Sequence, residues 1–227
     1  MGTPAEVGTE AHDELVRRLL AKAGTTYAEQ AGIRLKDKPM PLFQLVVLCM
    51  LASKPIDAGI ATQAAHELFR CGLRTPDAVL DADRPTMIRA FGRAHYVRYD
   101  ESSATRLSSI AAAVAQDYAG DLRRLAADSG HDIGVAARLL KQFKGIGDTG
   151  AAIFLREVQD VWPWVRPFFD ERATEAAAGL GLPVDPGELG ALAPNHNAEL
   201  AAALVRISLD DGLRTEMTPQ SAVSRGE

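Results

Sequence analysis

Apolar residues recur along this chain at helical spacing, and no segment carries the two-residue alternation of a half-buried strand. Asp13–Ala23 puts Leu15, Leu19 and Leu20 on one face of an amphipathic helix. Pro39 and Pro41 close a short linker. Leu42–Ala52 is then apolar almost all round, which predicts the central buried helix. Ser53-Lys54-Pro55 stops it, because Pro55 drives its predecessor out of helical geometry. Asp57–Phe69 reads as a helix with Ala61, Ala64, Ala65 and Leu68 on a close-packing side. Thr75 and Pro76 are a cap and a first helical position. Arg84–Phe91, Ser102–Tyr118 and Asp121–Ala127 follow as helices, then Val135–Phe143, a resumption at Ala151–Leu155, a helix over 171–180 opened by Asp170, and a last one at Ala198–Leu209. Pro183 and Pro186 mark a linker. Residues 1–10 are expected to be disordered and 215–227 to form a mobile polar tail. The expected fold class is all-α, with about ten to twelve helices by this spacing.

Between the helices at 135–143 and 151–155 lies Lys144-Gly145-Ile146-Gly147-Asp148-Thr149. Two glycines permit a very tight reversal, since glycine accepts positive φ. The helix that follows begins with unpaired N–H groups and the positive end of its macrodipole. With no side chain on Gly145 or Gly147, a phosphate oxygen has room to approach those amides. Arg138, Lys141 and Lys144 stand near this turn against Asp148 alone. A plain packing corner between two helices uses the same pattern. Further on, Trp162-Pro163-Trp164-Val165-Arg166-Pro167-Phe168-Phe169 leads to Asp170. Aspartate is a favoured helix cap, and a cap that faces a cleft is also fixed in direction.

Composition bounds the rest. At 47% hydrophobic and 24% charged, the chain is of ordinary soluble type, with no apolar run of membrane-spanning length. The opening MGTPAEVGTE has neither the basic nor the apolar region of a signal peptide, so a cytoplasmic setting is expected. Cys49 and Cys71 suggest reduced thiols in helical, apolar surroundings rather than a disulfide framework. The five histidines show no metal-ligand spacing, and no glycine-rich nucleotide loop follows a strand. A net charge of −5 weighs against nucleic acid as a partner, although affinity follows local patches rather than the total.

K-G-I-G-D-T-G-A, a proline-rich loop, and an aspartate with G-L-G-L ending its helix resemble the helix-hairpin-helix (HhH-GPD, endonuclease III-like) superfamily of DNA base-excision glycosylases. P-L-F-Q-L-V-V-L-C-M-L-A-S at 41–53 is similar to the family's early apolar helix, and F-G-R-A-H-Y at 91–96 to its Gly-aromatic turn. The resemblance implies a two-lobed all-α fold with an active-site cleft between the lobes. Residues 11–40 and 160–214 would form a terminal lobe and 41–159 a central one, with the hairpin at 144–149. It assigns Asp170 as the catalytic carboxylate and Gly145, Gly147 and Thr149 as phosphate-gripping amides, with Lys141 and Lys144 beside them. Lys54 falls near the family's gap-filling position, where a solvated loop lysine is the alternative. Trp162, Trp164 and Tyr96 are candidates for the walls of a base pocket, which needs aromatic or apolar surfaces, and equally for inter-helix packing.

Two departures bear on chemistry. Strand-cleaving members carry a lysine two residues after the second hairpin glycine, where this chain has Thr149. Threonine forms no Schiff base, so the resemblance implies a monofunctional glycosylase, without lyase activity, in base-excision repair. The four-cysteine iron–sulfur cluster of some members is excluded, because the two cysteines lie far from the C-terminus. No cofactor is expected, and the resemblance admits a monovalent cation at the hairpin. The implied partner is duplex DNA holding a damaged or mispaired base, with no membrane, bound by a monomer (nucleoid-associated in a bacterium). A catalytically inactive DNA-binding member is the alternative. Its support is the net negative charge, Lys144 and Asp148 where proline and a basic residue are usual, and Phe168-Phe169 crowding Asp170. A third possibility is a protein–protein module using the hairpin as a packing corner.

Overall fold

The leucine face read at the start of the chain belongs to a longer helix, α1 (Pro4–Ala23), in the computed structural model, which describes residues 4–218. Pro4 stands at the first position, where its missing N–H is harmless. Residues 4–10, expected to be disordered, are therefore helical, while 1–3 lie outside the described residues. Leu15, Val16, Leu19 and Ala23 are buried, and Leu20 sits at the edge of that face.

Every regular element among the described residues is a helix, so the fold class is all-α. The chain divides into two compact units. Tyr27–Val165 is one of them, the central unit. It contains α2 (Tyr27–Gln30), α3 (Pro39–Ala52), α4 (Ala58–Arg70), α5 (Pro76–Leu80), α6 (Arg84–Arg93), α7 (Asp100–Tyr118), α8 (Arg123–Asp128), α9 (Ile133–Leu140) and α10 (Asp148–Val158). The other, terminal unit joins Met1–Thr26 to Arg166–Glu227. It holds α1 with α11 (Glu171–Gly179), α12 (Pro186–Ala191), α13 (Asn197–Leu209) and α14 (Asp211–Met217). Residues 27–40 and 160–165, assigned by the sequence to the terminal lobe, thus cluster with the central unit. The contact that draws the first of these in is with α10: Tyr27 and Ala28 are buried, and the Glu157 carboxylate accepts the Ala28 N–H at 2.8 Å.

In the central unit α3 is the hub, as its unbroken apolar run predicts. Residues 41 to 51 are all buried, and the helix packs on α4, α7 and α10. Cys49 lies wholly inside it, and burial pushes its thiol well above the usual range, so it is a packing residue and not a nucleophile. Cys71, expected in an apolar setting, is exposed at the end of α4, where Arg93 donates to its sulfur at 2.6 Å.

In the terminal unit α13 plays the central part, packing on α1, α11 and α14. Arg206 of α13 donates to the Ala23 carbonyl at 2.6 Å, tying the end of α1 in place. Two misreadings fall here. Pro186 does not belong to a linker: it starts α12, which Asp185 caps. Residues 215–217 belong to α14, capped by Asp210, and are not tail; 219–227 lie outside the described residues. Side-chain caps from Asp57, Thr75, Asp83, Asp132, Asp170, Asp185 and Asp210 define half of the α-helix starts among the described residues. Each is worth about 1 kcal/mol, enough to hold the five- to seven-residue helices among them.

Glu67 links α4 to α6. Its carboxylate accepts from Arg93 Nε at 2.6 Å, with Arg70 Nε at 3.6 Å. The Arg93 hydrogen bond holds the carboxyl below its ordinary 4.5. A folded-state value below the unfolded one stabilises the protein above the ordinary carboxylate range, and that contribution is lost as pH falls through the folded value. Glu67→Gln is expected to unfold at lower urea concentration than wild type at neutral pH, with the gap narrowing once pH drops below 4.5. Denaturation midpoints at both pH values check this.

Candidate nucleic-acid interface

The turn between α9 and α10 is built from the backbone outward. α9 ends at Leu140, and Phe143 and Ile146, both buried, pin the reversal to the core. The Ile146 N–H donates to the Phe143 carbonyl at 3.0 Å, which tightens the turn. Gly145 has φ +100°, a conformation closed to ordinary side chains. A methyl placed on it would also lie 2.7 Å from Cδ of Arg106, which reaches the turn from α7. The fold therefore requires Gly145 to be glycine.

Gly147 is different. Its φ of −106° is open to any residue, and an added Cβ would meet nothing within 4 Å. It caps α10 with no side-chain bond. Among the described residues no acceptor takes the amides of Gly145, Gly147 or Thr149, and Gly147 and Thr149 are exposed. Nothing inside the protein asks for glycine at 147. What its missing side chain does is leave the start of α10 open. Gly147→Ala is thus expected to change stability by less than about 1 kcal/mol, since the lost cap preference opposes the lost chain entropy. If the open amides hold a phosphate, the same change lowers duplex affinity about tenfold. Thermal melting and fluorescence anisotropy on one preparation separate the two effects.

Cations gather round this turn from three directions. Lys141 and Lys144 are exposed on the turn itself. Arg106 comes from α7. Gly150 of α10 lets Ser53, at the end of α3, approach so closely that a Cβ there would lie 2.5 Å from its Oγ. That contact brings the next residue, Lys54, to the flank of α10. Lys54 Nζ stands 5.6 Å from the centre of the Tyr99 ring, and Arg98 Cζ 5.3 Å from it. Lys54 and Arg98 thus flank one tyrosine ring, and Ser53, the neighbour of Lys54 in sequence, touches α10 at Gly150. The sequence reading missed Arg98, Arg106 and Gly150. Tyr99, Ser103 and Arg106 do share one side of α7 by their spacing of four and three, a signal that was available.

Asp148 tempers this charge. Its carboxylate accepts from Lys141 Nζ at 2.7 Å, which holds it below its ordinary value. Lys141 is thereby occupied, and the exposed carboxylate stands on the first residue of α10.

The aromatic candidates are placed otherwise than the pocket reading expects. Tyr96 is fully buried; its hydroxyl donates to the Leu51 carbonyl at 3.1 Å, and burial pushes its pKa up to about 12. It presents no face to a base and is an inter-helix packing residue. Trp162 is 3% exposed, donates from Nε1 to Asp37 at 3.0 Å, and lies between Phe154 at 5.6 Å and Trp164 at 5.4 Å. The Trp164 ring lies tilted against that of His131, with centroids 5.2 Å apart. The rings cover one another.

In the terminal unit, Asp170 is half-buried and caps α11, accepting the Ala173 N–H at 3.0 Å. Among the described residues there is no group of three or more His, Cys, Asp or Glu arranged to hold a metal, and no helix is long and apolar enough to cross a membrane. Comparison of the chain with protein-family models, with characterised proteins and with solved structures finds no match.

Proposed function

We propose that this chain is a helix-hairpin-helix DNA glycosylase of the HhH-GPD type, which hydrolyses the N-glycosidic bond of a damaged or mispaired base. The observation that carries the reading is the open start of α10. The amides of Gly145, Gly147 and Thr149 are without acceptors, with Lys144 on the same turn and the Arg106 side chain against Gly145. Backbone donors and a helix N-terminus suit a phosphate, and the cations add the sequence-independent attraction on which DNA affinity rests.

A base within a duplex is out of reach, so the nucleotide must rotate out at a cost of a few kcal/mol, least for a damaged or mispaired base. The hairpin grips a backbone phosphate and holds the strand in register. Scission of the glycosidic bond leaves positive charge on the sugar. The Asp170 carboxylate, its direction set by the Ala173 hydrogen bond, stabilises that charge and orients or deprotonates the attacking water. With Thr149 where a lysine nucleophile would stand, water attacks and the product is an uncut abasic site.

A second reading, a DNA-binding member without catalysis, is favoured by the Lys141–Asp148 pair. It puts a carboxylate where a phosphate would dock and occupies one cation. DNA affinity is common to both readings. In fluorescence anisotropy with a duplex containing an abasic-site analogue, binding should weaken several-fold for each doubling of salt. Absence of salt-dependent binding would remove both readings and leave the hairpin as a packing corner.

A further inference from the structure

A chain of net charge −5 gathers three arginines, Arg34, Arg70 and Arg74, around one cleft of about 250 Å³ in the central unit, with no carboxylate among the lining residues. The cleft lies where α3 begins, beside α4 and the segment joining α2 to α3. Its remaining polar lining is His66 and Gln44, and Phe69 supplies an apolar wall.

The arginines are underused by the protein. Arg34 makes no hydrogen bond or ion pair among the described residues. Arg74 spends only Nε, on the Phe69 carbonyl at 2.7 Å, which fixes the guanidinium and leaves both terminal nitrogens unpartnered. Arg70 has one weak contact, to Glu67 at 3.6 Å, and that carboxylate is already held by Arg93. Gln44 is the second, independent sign. It is 6% exposed on the buried helix α3, lines the cleft, and has no hydrogen-bond partner among the described residues. Its amide atoms are not sealed from the cleft, so a partner from outside can reach them. Gly32, at φ +77°, lets the His66 ring lie within 3.1 Å of where a Cβ would be, which sets that ring at the rim. The positive end of α3 adds to the field, as Lys38 caps it with no side-chain bond.

We propose that this cleft binds a small phosphate monoester, with the phosphate held by Arg34, Arg70, Arg74 and the Gln44 amide and the organic group laid against Phe69. Guanidinium groups pair with phosphate oxygens in forked geometry, and a doubly charged phosphate takes several such donors at once. A single carboxylate would leave the third arginine unanswered. The site is separate from the hairpin and stands whether or not the chain is a glycosylase.

The probe is adenosine 5′-monophosphate, titrated by calorimetry into the full chain, with adenosine as the phosphate-free control. The monophosphate should bind saturably and at least tenfold more tightly than adenosine. Arg34→Gln, a change at an exposed residue, should weaken it at least fivefold with unchanged melting, and Gln44→Leu should do the same. Gly147→Ala should leave it untouched. Equal binding of nucleotide and nucleoside, no saturation in the millimolar range, or full affinity in both variants would overturn the proposal. Oligonucleotides with and without a 5′-phosphate then tell the source: preference for the phosphorylated strand assigns a strand end, and no preference assigns a free nucleotide.

Discussion

Asp170→Asn is expected to keep its fold and its DNA affinity and to lose base release by roughly a hundred- to a thousandfold, the usual effect of deleting one preorganised electrostatic stabiliser. The substitution is a clean one at this position. Asparagine caps a helix about as well as aspartate, so the acceptor for the Ala173 N–H survives and α11 keeps its start. Only the negative charge and the ability to take a proton are removed. A loss of activity with unchanged melting then belongs to chemistry and not to folding. Single-turnover base release on a lesion duplex, run beside anisotropy and thermal melting, measures all three. Full turnover in the variant would take Asp170 out of the reaction.

Gly145→Val is expected to damage stability and DNA affinity together. At φ +100° a β-branched residue is strained by about 1–3 kcal/mol. The added side chain also starts 2.7 Å from Cδ of Arg106, which must move away from the turn. The sum, on the order of 2–4 kcal/mol, is a large part of the 5–15 kcal/mol by which domains are stable. If the variant folds, its turn must open, and the amides of Gly145 and Gly147 no longer point from one arc. Duplex affinity should fall at least tenfold. Urea denaturation with an unchanged slope checks the first effect, anisotropy the second. Paired with Gly147→Ala, which touches affinity alone, the two glycines separate the need of the fold from the need of the ligand.

Residues differ in how much of this the sequence reveals. The α3 hub was legible because a helix apolar on every side has no alternative to burial, and residues 41 to 51 are indeed all buried. The hairpin was legible because its features are backbone features, and glycine announces them locally. The additional cations were not. Arg106 meets Gly145 across a separation of about forty residues, and Lys54 reaches α10 only because Ser53 packs on Gly150. Such neighbours are products of tertiary packing, which no local pattern encodes. Tyr96 illustrates a different limit: an aromatic after a glycine-ended helix reads the same whether it lines a pocket or seals a core, and only its contact with the Leu51 carbonyl decides. Proline misled in the opposite sense. Pro186 reads as a break, yet with Asp185 before it, it begins α12.

The central claim is that this chain hydrolyses a glycosidic bond and leaves the strand whole. The measurement that tests it most directly is strand breakage, before and after hot alkali, in short duplexes carrying uracil, alkylated, oxidised or mispaired bases. The account predicts breaks in one class of duplex after alkali only, because water attacks where a lysine would otherwise form the Schiff base. Breaks without alkali would show that an amine nucleophile acts in place of Thr149, and no breaks in any duplex would contradict the glycosylase reading and leave a DNA-binding protein.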